Sequence, residues 1–588
     1  MIKYDTLNTG QREAVFSIAP RILCLAGAGT GKTQVLTRRI ARLWETGVKP
    51  VNMLALTFTR AAGEEMKERV IGLIGNDGKG LFCNTFHAFC VEIIREYAHL
   101  VKLDSNFSIY DQDESDEVIN EVLRDLKLKI TAKKFNDFRA GKAGGIPAVL
   151  LKQAKVALNE YWARLTRSNA VDFDRLIELV ETLLKEKVAV QQALNARYRY
   201  VFVDEFQDTD SKQWGLINAM NPNNLFIVGD DNQAIYGFRG GEVDIILSLS
   251  KSPDWQTVKL EQNYRSTRQI ITAANALIQH NNQTDKILIA NKEGVPIDFR
   301  EPLDEEREIS DIAERLMLNL RQNKSTAILA RTNRQIDRVM EYLKERSIPY
   351  ERLASTESPL STKGAKDVFT WLTLITNPDN NAALRKIASQ QLGKHAYNEA
   401  EMLQLRGNLT FGEALNETVE GRNLLQQIDE RRESFKQGKW VSAGVASLFQ
   451  SLEIDGSFVV PEVIKWEQRS IMLGESSSVS AFLDYVMLCS ISAKPIRERD
   501  SGKVYLMTAH GSKGLEFEEV FVIGVAKGMF PSGKNIEEER RLFYVAITRA
   551  REYLNVSCPK EIIDWSGGAK LAERSGFITE ALIEKGML

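Results

Sequence analysis

Eight residues, Ala26-Gly27-Ala28-Gly29-Thr30-Gly31-Lys32-Thr33, stand between the apolar run Arg21-Ile22-Leu23-Cys24-Leu25 and a helix-like run from Thr33 to Trp44. A glycine-rich turn from strand to helix aims successive backbone N–H groups, and the positive end of the helix dipole, at one place suited to phosphates. Lys32 would reach the β- and γ-phosphates there as a point charge, and the Thr33 hydroxyl would ligate Mg²⁺. The full pattern begins with glycine, where this chain has Ala26. The chemistry predicted is binding of a nucleoside triphosphate.

Two further stretches could act on that ligand. Tyr200-Val201-Phe202-Val203-Asp204-Glu205 is an apolar strand ending in two carboxylates. In a P-loop protein the first acid completes the Mg²⁺ shell and the second polarises the attacking water. Leu225-Phe226-Ile227-Val228-Gly229 leads into a loop carrying Gln233, placed to sense a γ-phosphate, and then Tyr236, Phe238 and Arg239. Tyr236 and Phe238 can be core residues; beside Gly and Arg on a strand-end loop they also suit base stacking, worth roughly 1–3 kcal/mol per base. Near the N-terminus, Gln11 carries the donor and acceptor that match an adenine edge.

The elements that must position these groups follow from hydrophobic patterning. Met53–Phe58 and Leu81–Thr85 are further buried strands, with a helix predicted over 60–74 and another after Phe86. Strands alternating with such helices predict an α/β fold with a parallel, helix-covered sheet whose ligands lie at the carboxyl ends of the strands. Phe58, Thr59, Thr85 and His87 occupy such ends. From about Val91 to Ala196 the rhythm stops and the text turns charged and helical, broken near Ala140 to Pro147, which predicts a helical insertion.

The chain of 588 residues exceeds one core, and about 100–200 residues per domain predicts three to five domains. A net charge of −2 leaves no global basic field, so a polyanion would be held in a local groove. The five cysteines form no CxxC pair, which argues against zinc or iron–sulfur sites and fits a reducing compartment. With no signal pattern and no apolar run near the roughly 18 residues of a membrane span, a cytoplasmic location is expected.

The ordered motifs resemble those of superfamily 1 DNA helicases of the UvrD/Rep/PcrA type. They run from Gln11 through Ala26–Thr33, Thr57-Phe58-Thr59, Thr85-Phe86-His87, Asp204–Thr209 and Val228–Gly240. They continue through Gln262–Thr267 and Met507–Phe517 to Arg540–Ala550, with lesser echoes at Phe107–Asp111 and Asp172–Asp174. The resemblance implies two RecA-like motor domains, residues 1–90 with 197–259 and residues 260–378 with 504–588. Each carries a mainly helical insertion, residues 91–196 and 379–503. ATP would lie between the motors, with Arg265 and Arg549 as fingers within the same chain, Tyr264 stacking on adenine and Glu516 on the ribose. Single-stranded DNA would meet Phe58, Thr59, Thr85, His87, Tyr236, Phe238, Arg239 and His510, with Lys513 in the same segment. His87 and His510 can equally be satisfied structural histidines, and Arg549 an ordinary salt-bridged helix residue.

This chain departs from the family pattern at several places. Gln34 replaces an Arg that helps sandwich adenine, Asn232 an acid and Ala234 a Ser. Arg60-Ala61 stands for Asn-Lys, Phe238 where Trp is frequent, and the second insertion is short. No long C-terminal tail or nuclease motif is expected. The resemblance implies an ATP- and Mg²⁺-dependent helicase moving 3′ to 5′ on single-stranded DNA and at single-strand/duplex junctions, with a possible protein partner at the helical insertions. Two competing readings are a motor subunit that unwinds only with a partner and a non-motor ATPase switch.

Overall fold

Alternating apolar strands and helices build two six-stranded parallel sheets in the computed structural model. It describes residues 2–141, 147–237, 241–353, 359–407, 409–436, 440–489, 502–533, 535–563 and 568–583. The first sheet contains β1 (Arg21–Ala26), β2 (Met53–Thr57), β3 (Phe82–Thr85), β4 (Tyr200–Val203), β5 (Asn224–Gly229) and β6 (Gln256–Leu260), in the order β3-β2-β4-β5-β1-β6. The strands β1, β2 and β5 are apolar almost throughout and buried, as strands covered on both faces require. In register, Leu23 lies opposite Ile227 on one side and Thr257 on the other.

The second sheet contains β7 (Asp298–Arg300), β8 (Thr326–Ala330), β9 (Tyr350–Arg352), β10 (Val504–Thr508), β11 (Phe517–Val522) and β12 (Ala550–Ser557), in the order β7-β12-β11-β8-β10-β9. The α/β class and the two RecA-like motors with helical insertions are thus what the chain adopts. The arginine-bearing motif after β11 begins on the helix Ile536–Ile547 and runs past its end. Thr548 turns its hydroxyl back onto the Tyr544 and Val545 carbonyls, and the Arg549 carbonyl accepts from Phe517 N–H, so the chain is already joining β11.

Over the described residues the chain divides into two compact units. One, Met1–Asn84 with Leu194–Thr356 and Lys494–Leu588, contains both motor sheets and three apolar cores. The other joins Thr85–Ala193 to Glu357–Ala493. Within it, Ser108–Tyr110 and Ala170–Asp172 form a short parallel pair inside the insertion expected to be mainly helical. The buried Asn377 side chain donates to the Asn169 carbonyl and the Ser108 hydroxyl, and the Arg95 guanidinium grips the Asp484 carboxylate. Among the described residues no helix is long and apolar enough to cross a membrane.

Candidate functional site

At the end of β1 the chain turns through Gly29 at φ 65° and Gly31 at φ 86°, backbone that side chains disfavour. A Cβ on Gly29 would lie 2.6 Å from Arg265 Cβ and 2.8 Å from Asn263 Nδ2, so this turn is also pressed by the second half of the unit. Asn263 Nδ2 donates to the Ala28 carbonyl at 2.6 Å and Tyr264 N–H to the Gly29 carbonyl at 2.9 Å. Gln11 is buried and uses both ends of its amide internally: Oε1 accepts from Asn8 N–H and Nε2 donates to the Thr30 carbonyl. The Tyr264 ring, half exposed, is steadied by Asn8 Nδ2 on its hydroxyl at 2.9 Å. Gly27, Ala28 and Ala26 complete the loop, and Thr33 lies in the first turn of the helix Lys32–Glu45.

Lys32 Nζ is 3.6 Å from Glu205 Oε2 and 4.0 Å from Asp230 Oδ2, yet hydrogen-bonds to no group among the described residues. A buried ammonium without a hydrogen-bond acceptor, beside N–H groups of a glycine turn, suits a phosphate. Glu205 follows β4 at φ 49°, ψ 41°, a left-handed backbone for a residue with a side chain. Such strain collects at functional sites, and here the surrounding bonds hold it. Gln207 Nε2 donates to Glu205, and Gln207 Oε1 accepts from Asp230 N–H at 2.8 Å. Burial, then the neighbouring Glu205, pushes the Asp204 carboxyl up. At Glu205 the push of burial is outweighed by Lys32, Lys513 and the Gln207 amide, which hold it below the usual carboxylate range. Thr33 and Asp204 offer oxygen only, a donor set that fits Mg²⁺. Gln233 Nε2 donates to Asp230 Oδ2 at 2.7 Å.

Arg265 Nε donates to Glu516 Oε2 at 2.6 Å, so these two expected residues meet each other. Arg549 is 1% exposed; its guanidinium donates to the Val545 and Leu515 carbonyls and the Thr548 hydroxyl. Burial, with Arg265 beside it, lowers its pKa to about 9. Arg549 thus lies buried just past the helix Ile536–Ile547, its guanidinium bonded to backbone carbonyls and a hydroxyl.

The residues expected along a nucleic-acid strand are spread more widely. Phe58 and Tyr236 stack with ring centroids 5.4 Å apart and planes 13° from parallel. Thr59 caps the helix Arg60–Ile74 by accepting from Ala62 N–H, and Arg60 pairs with Glu64 at 3.0 Å. His510 is half-buried in the short turn His510–Ser512. Lys513, expected beside the strand, is part-buried with its ammonium on Asp208 Oδ2 at 2.5 Å and the Gln233 carbonyl at 2.9 Å, and 4.9 Å from the Tyr236 ring centre. Its charge is compensated by the first motor's own acid. In the other unit, Thr85 caps the helix Phe86–Glu96 and the His87 ring meets Phe173 edge-on at 6.0 Å. Phe238 and Arg239 lie outside the described residues. Sequence reasoning missed Gln207, Asn263 and Lys286; only their place within motif-bearing runs marked the first two, and Lys286 gave no signal.

The family model described as the UvrD/REP helicase N-terminal domain matches residues 7–254, and that of the UvrD-like helicase C-terminal domain matches residues 258–441 and 458–561. The chain is 33% identical to the ATP-dependent DNA helicase PcrA of Staphylococcus aureus, over 94% of this chain and 83% of that protein. It is 32% identical to the ATP-dependent DNA helicase PcrA of Staphylococcus epidermidis over the same shares.

Proposed function

Because this chain belongs to the UvrD/Rep family of DNA helicases, we propose that it hydrolyses ATP to move 3′ to 5′ along single-stranded DNA and to separate duplexes at junctions, serving repair, replication restart or recombination. The observation that carries the reading is the convergence, in one compact unit, of Lys32 and Glu205 from the first motor with Arg265, Glu516 and Arg549 from the second. In this reading the loop Ala26–Thr33 and Lys32 hold the phosphates, and Tyr264 and Gln11 bound the base. Thr33 and Asp204 hold Mg²⁺, which neutralises charge on the phosphates when bound. Glu205 accepts the proton of the attacking water, Gln233 senses the γ-phosphate, and Arg265 and Arg549 stabilise charge on the transferring group. Since the arginines come from the second motor, turnover requires both halves together, which couples hydrolysis to domain motion. Phe58 and Tyr236 offer stacking faces to bases.

The test is strand separation on duplexes with a 3′ or a 5′ single-stranded tail, with ATP hydrolysis followed in the same tubes. Unwinding of the 3′-tailed duplex alone is expected; unwinding of the 5′-tailed duplex would overturn the polarity. DNA-stimulated hydrolysis without unwinding would favour a motor that needs a partner at its insertions. The Glu205→Gln variant should bind ATP and fail to hydrolyse it, and normal turnover would remove Glu205 from its role.

A further inference from the structure

The side chain of Lys286 is fully buried, and so are the two carboxylates it meets. Its ammonium lies 2.9 Å from Asp230 Oδ1 and 2.6 Å from Asp231 Oδ1, all three side chains being 0% exposed. It comes from the polar run between the helix Arg268–Ile278 and the bridge strand Ile289–Ala290, in the second motor, whereas both aspartates follow β5 of the first. Asp231 is further gripped by the Thr284 backbone N–H at 2.8 Å and hydroxyl at 3.0 Å. The Arg541 guanidinium also acts on Asp231, while its hydrogen bonds go to the Asn282 carbonyl and Glu537.

The two oxygens of Asp230 face different ways. Oδ1 takes Lys286; Oδ2 takes the Gln233 amide at 2.7 Å and lies 4.0 Å from Lys32. One buried carboxylate thus joins an ammonium of the second motor to the loop lysine and to the glutamine of the first. A lysine drawn toward phosphates weakens its hold on Asp230, and a buried carboxylate left without a cation is strongly disfavoured. Lys286 supplies a second cation that does not depend on the first.

We propose that Lys286 is a positioning residue: it holds the Asp230 carboxylate oriented so that Gln233 stays aimed into the cleft, and it makes that aim conditional on the second motor being in place. The inference rests on the ATP-hydrolysing reading above but not on strand separation. It assigns the side of motor closure to which Gln233 answers.

The experiment is a double-mutant cycle on the full chain, Lys286→Met, Gln233→Ala and both together, read as kcat and KM for ATP with melting temperature alongside. Lys286→Met should lower kcat at least about tenfold while KM for ATP moves less than about threefold, and Gln233→Ala should add little on top of it. A structural role alone would give additive losses, or a lower melting temperature with kcat kept, and either result overturns the proposal. Should Lys286→Met fail to fold, the pair Lys286→Met with Asp231→Asn keeps the net charge of the cluster. It should fold and remain slow; wild-type kcat in that pair would also overturn the proposal. A wild type that turns over ATP without separating strands would fail the helicase reading alone, and the cycle would still be read on kcat. A wild type without ATP turnover would overturn both.

Discussion

The two parallel sheets share a strand count and an architecture but carry opposite chemistry at the edges that matter. The first ends β1 in a glycine turn and β4 and β5 in Asp204, Glu205, Asp230 and Asp231. The second half contributes Arg265, Lys286, Lys513 and Arg549. Three of the acids in or beside the first set, Asp208, Asp230 and Asp231, are paired with a lysine from the second. One half supplies the glycine turn and the anions; the other supplies most of the cations. Neither sheet by itself balances its buried charge, and under the proposed reading this division of labour is what would tie hydrolysis to the relation between the two halves.

The arginines test this division most severely. Replacing Arg265 with Ala should lower single-turnover ATP hydrolysis by about 10³-fold or more, the range typical of a finger supplied to a phosphoryl group. Arg549→Ala should match that loss and also lower the melting temperature, because its guanidinium donates to the Val545 and Leu515 carbonyls in a buried site. Arg265→Ala should melt near the wild type. Equal turnover in either variant would mean that the second sheet gives the cleft charge balance but no catalysis.

A second substitution isolates charge balance from catalysis. Lys513→Met leaves Asp208, 3% exposed, without its cation, and stripping one partner from a buried pair typically costs about 3–5 kcal/mol. Denaturant unfolding should show a loss of that order, and Lys513→Met with Asp208→Asn should recover most of it. If the double variant is no better than the single, the pair is not what secures Lys513.

What was legible from the sequence follows the same line. The loop 26–33 and the pair Asp204-Glu205 announce themselves because their chemistry is written in consecutive residues beside an apolar strand. Arg265 and Arg549 lie hundreds of residues from Lys32, and only the ordered resemblance to a helicase family brought them to the site. Lys286 was not found by either route. In Asn281-Asn282-Gln283-Thr284-Asp285-Lys286 it reads as solvated loop, and only tertiary packing against β5 buries it. Gln11 shows the converse: its place in the pattern was evident, while the bonds by which its amide braces the Asn8 N–H and the Thr30 carbonyl were not. The short parallel pair at Ser108–Tyr110 and Ala170–Asp172 was hidden because three-residue strands sit within a long charged, helical text.

Glu308 of the second half is a buried acid that sharpens the contrast with the paired acids of the first. Its carboxylate accepts from Gly524 N–H at 3.0 Å, and burial pushes its pKa up to about 7 against the opposing bonds from Ser557 and Gly524. A folded-state pKa above the unfolded value means stability that is present below about pH 4.5 and lost as pH rises through 7. The loss is at most about 3 kcal/mol at 1.36 kcal/mol per pKa unit. Urea unfolding between pH 5 and 8.5 should show the wild type weakening more steeply than Glu308→Gln. Parallel curves would show that Glu308 is solvated or paired.

The smallest effect probes the aromatic pair. Phe58 and Tyr236 both belong to the first half, and Lys513 of the second lies over the Tyr236 ring, so Tyr236 touches both the stacking surface and the charge balance. If its work is base stacking, Tyr236→Ala should weaken single-stranded DNA binding by about 1–3 kcal/mol, roughly 5- to 150-fold in Kd. The slope of log Kd against log salt should not change, because a neutral ring releases no counterions, whereas that slope in the wild type should report a modest number of phosphate contacts. ATP turnover without DNA should stay within about threefold. If instead DNA-free turnover collapses while DNA affinity holds, Tyr236 serves by seating Lys513 on Asp208, and the ring belongs to the machinery that joins the two sheets.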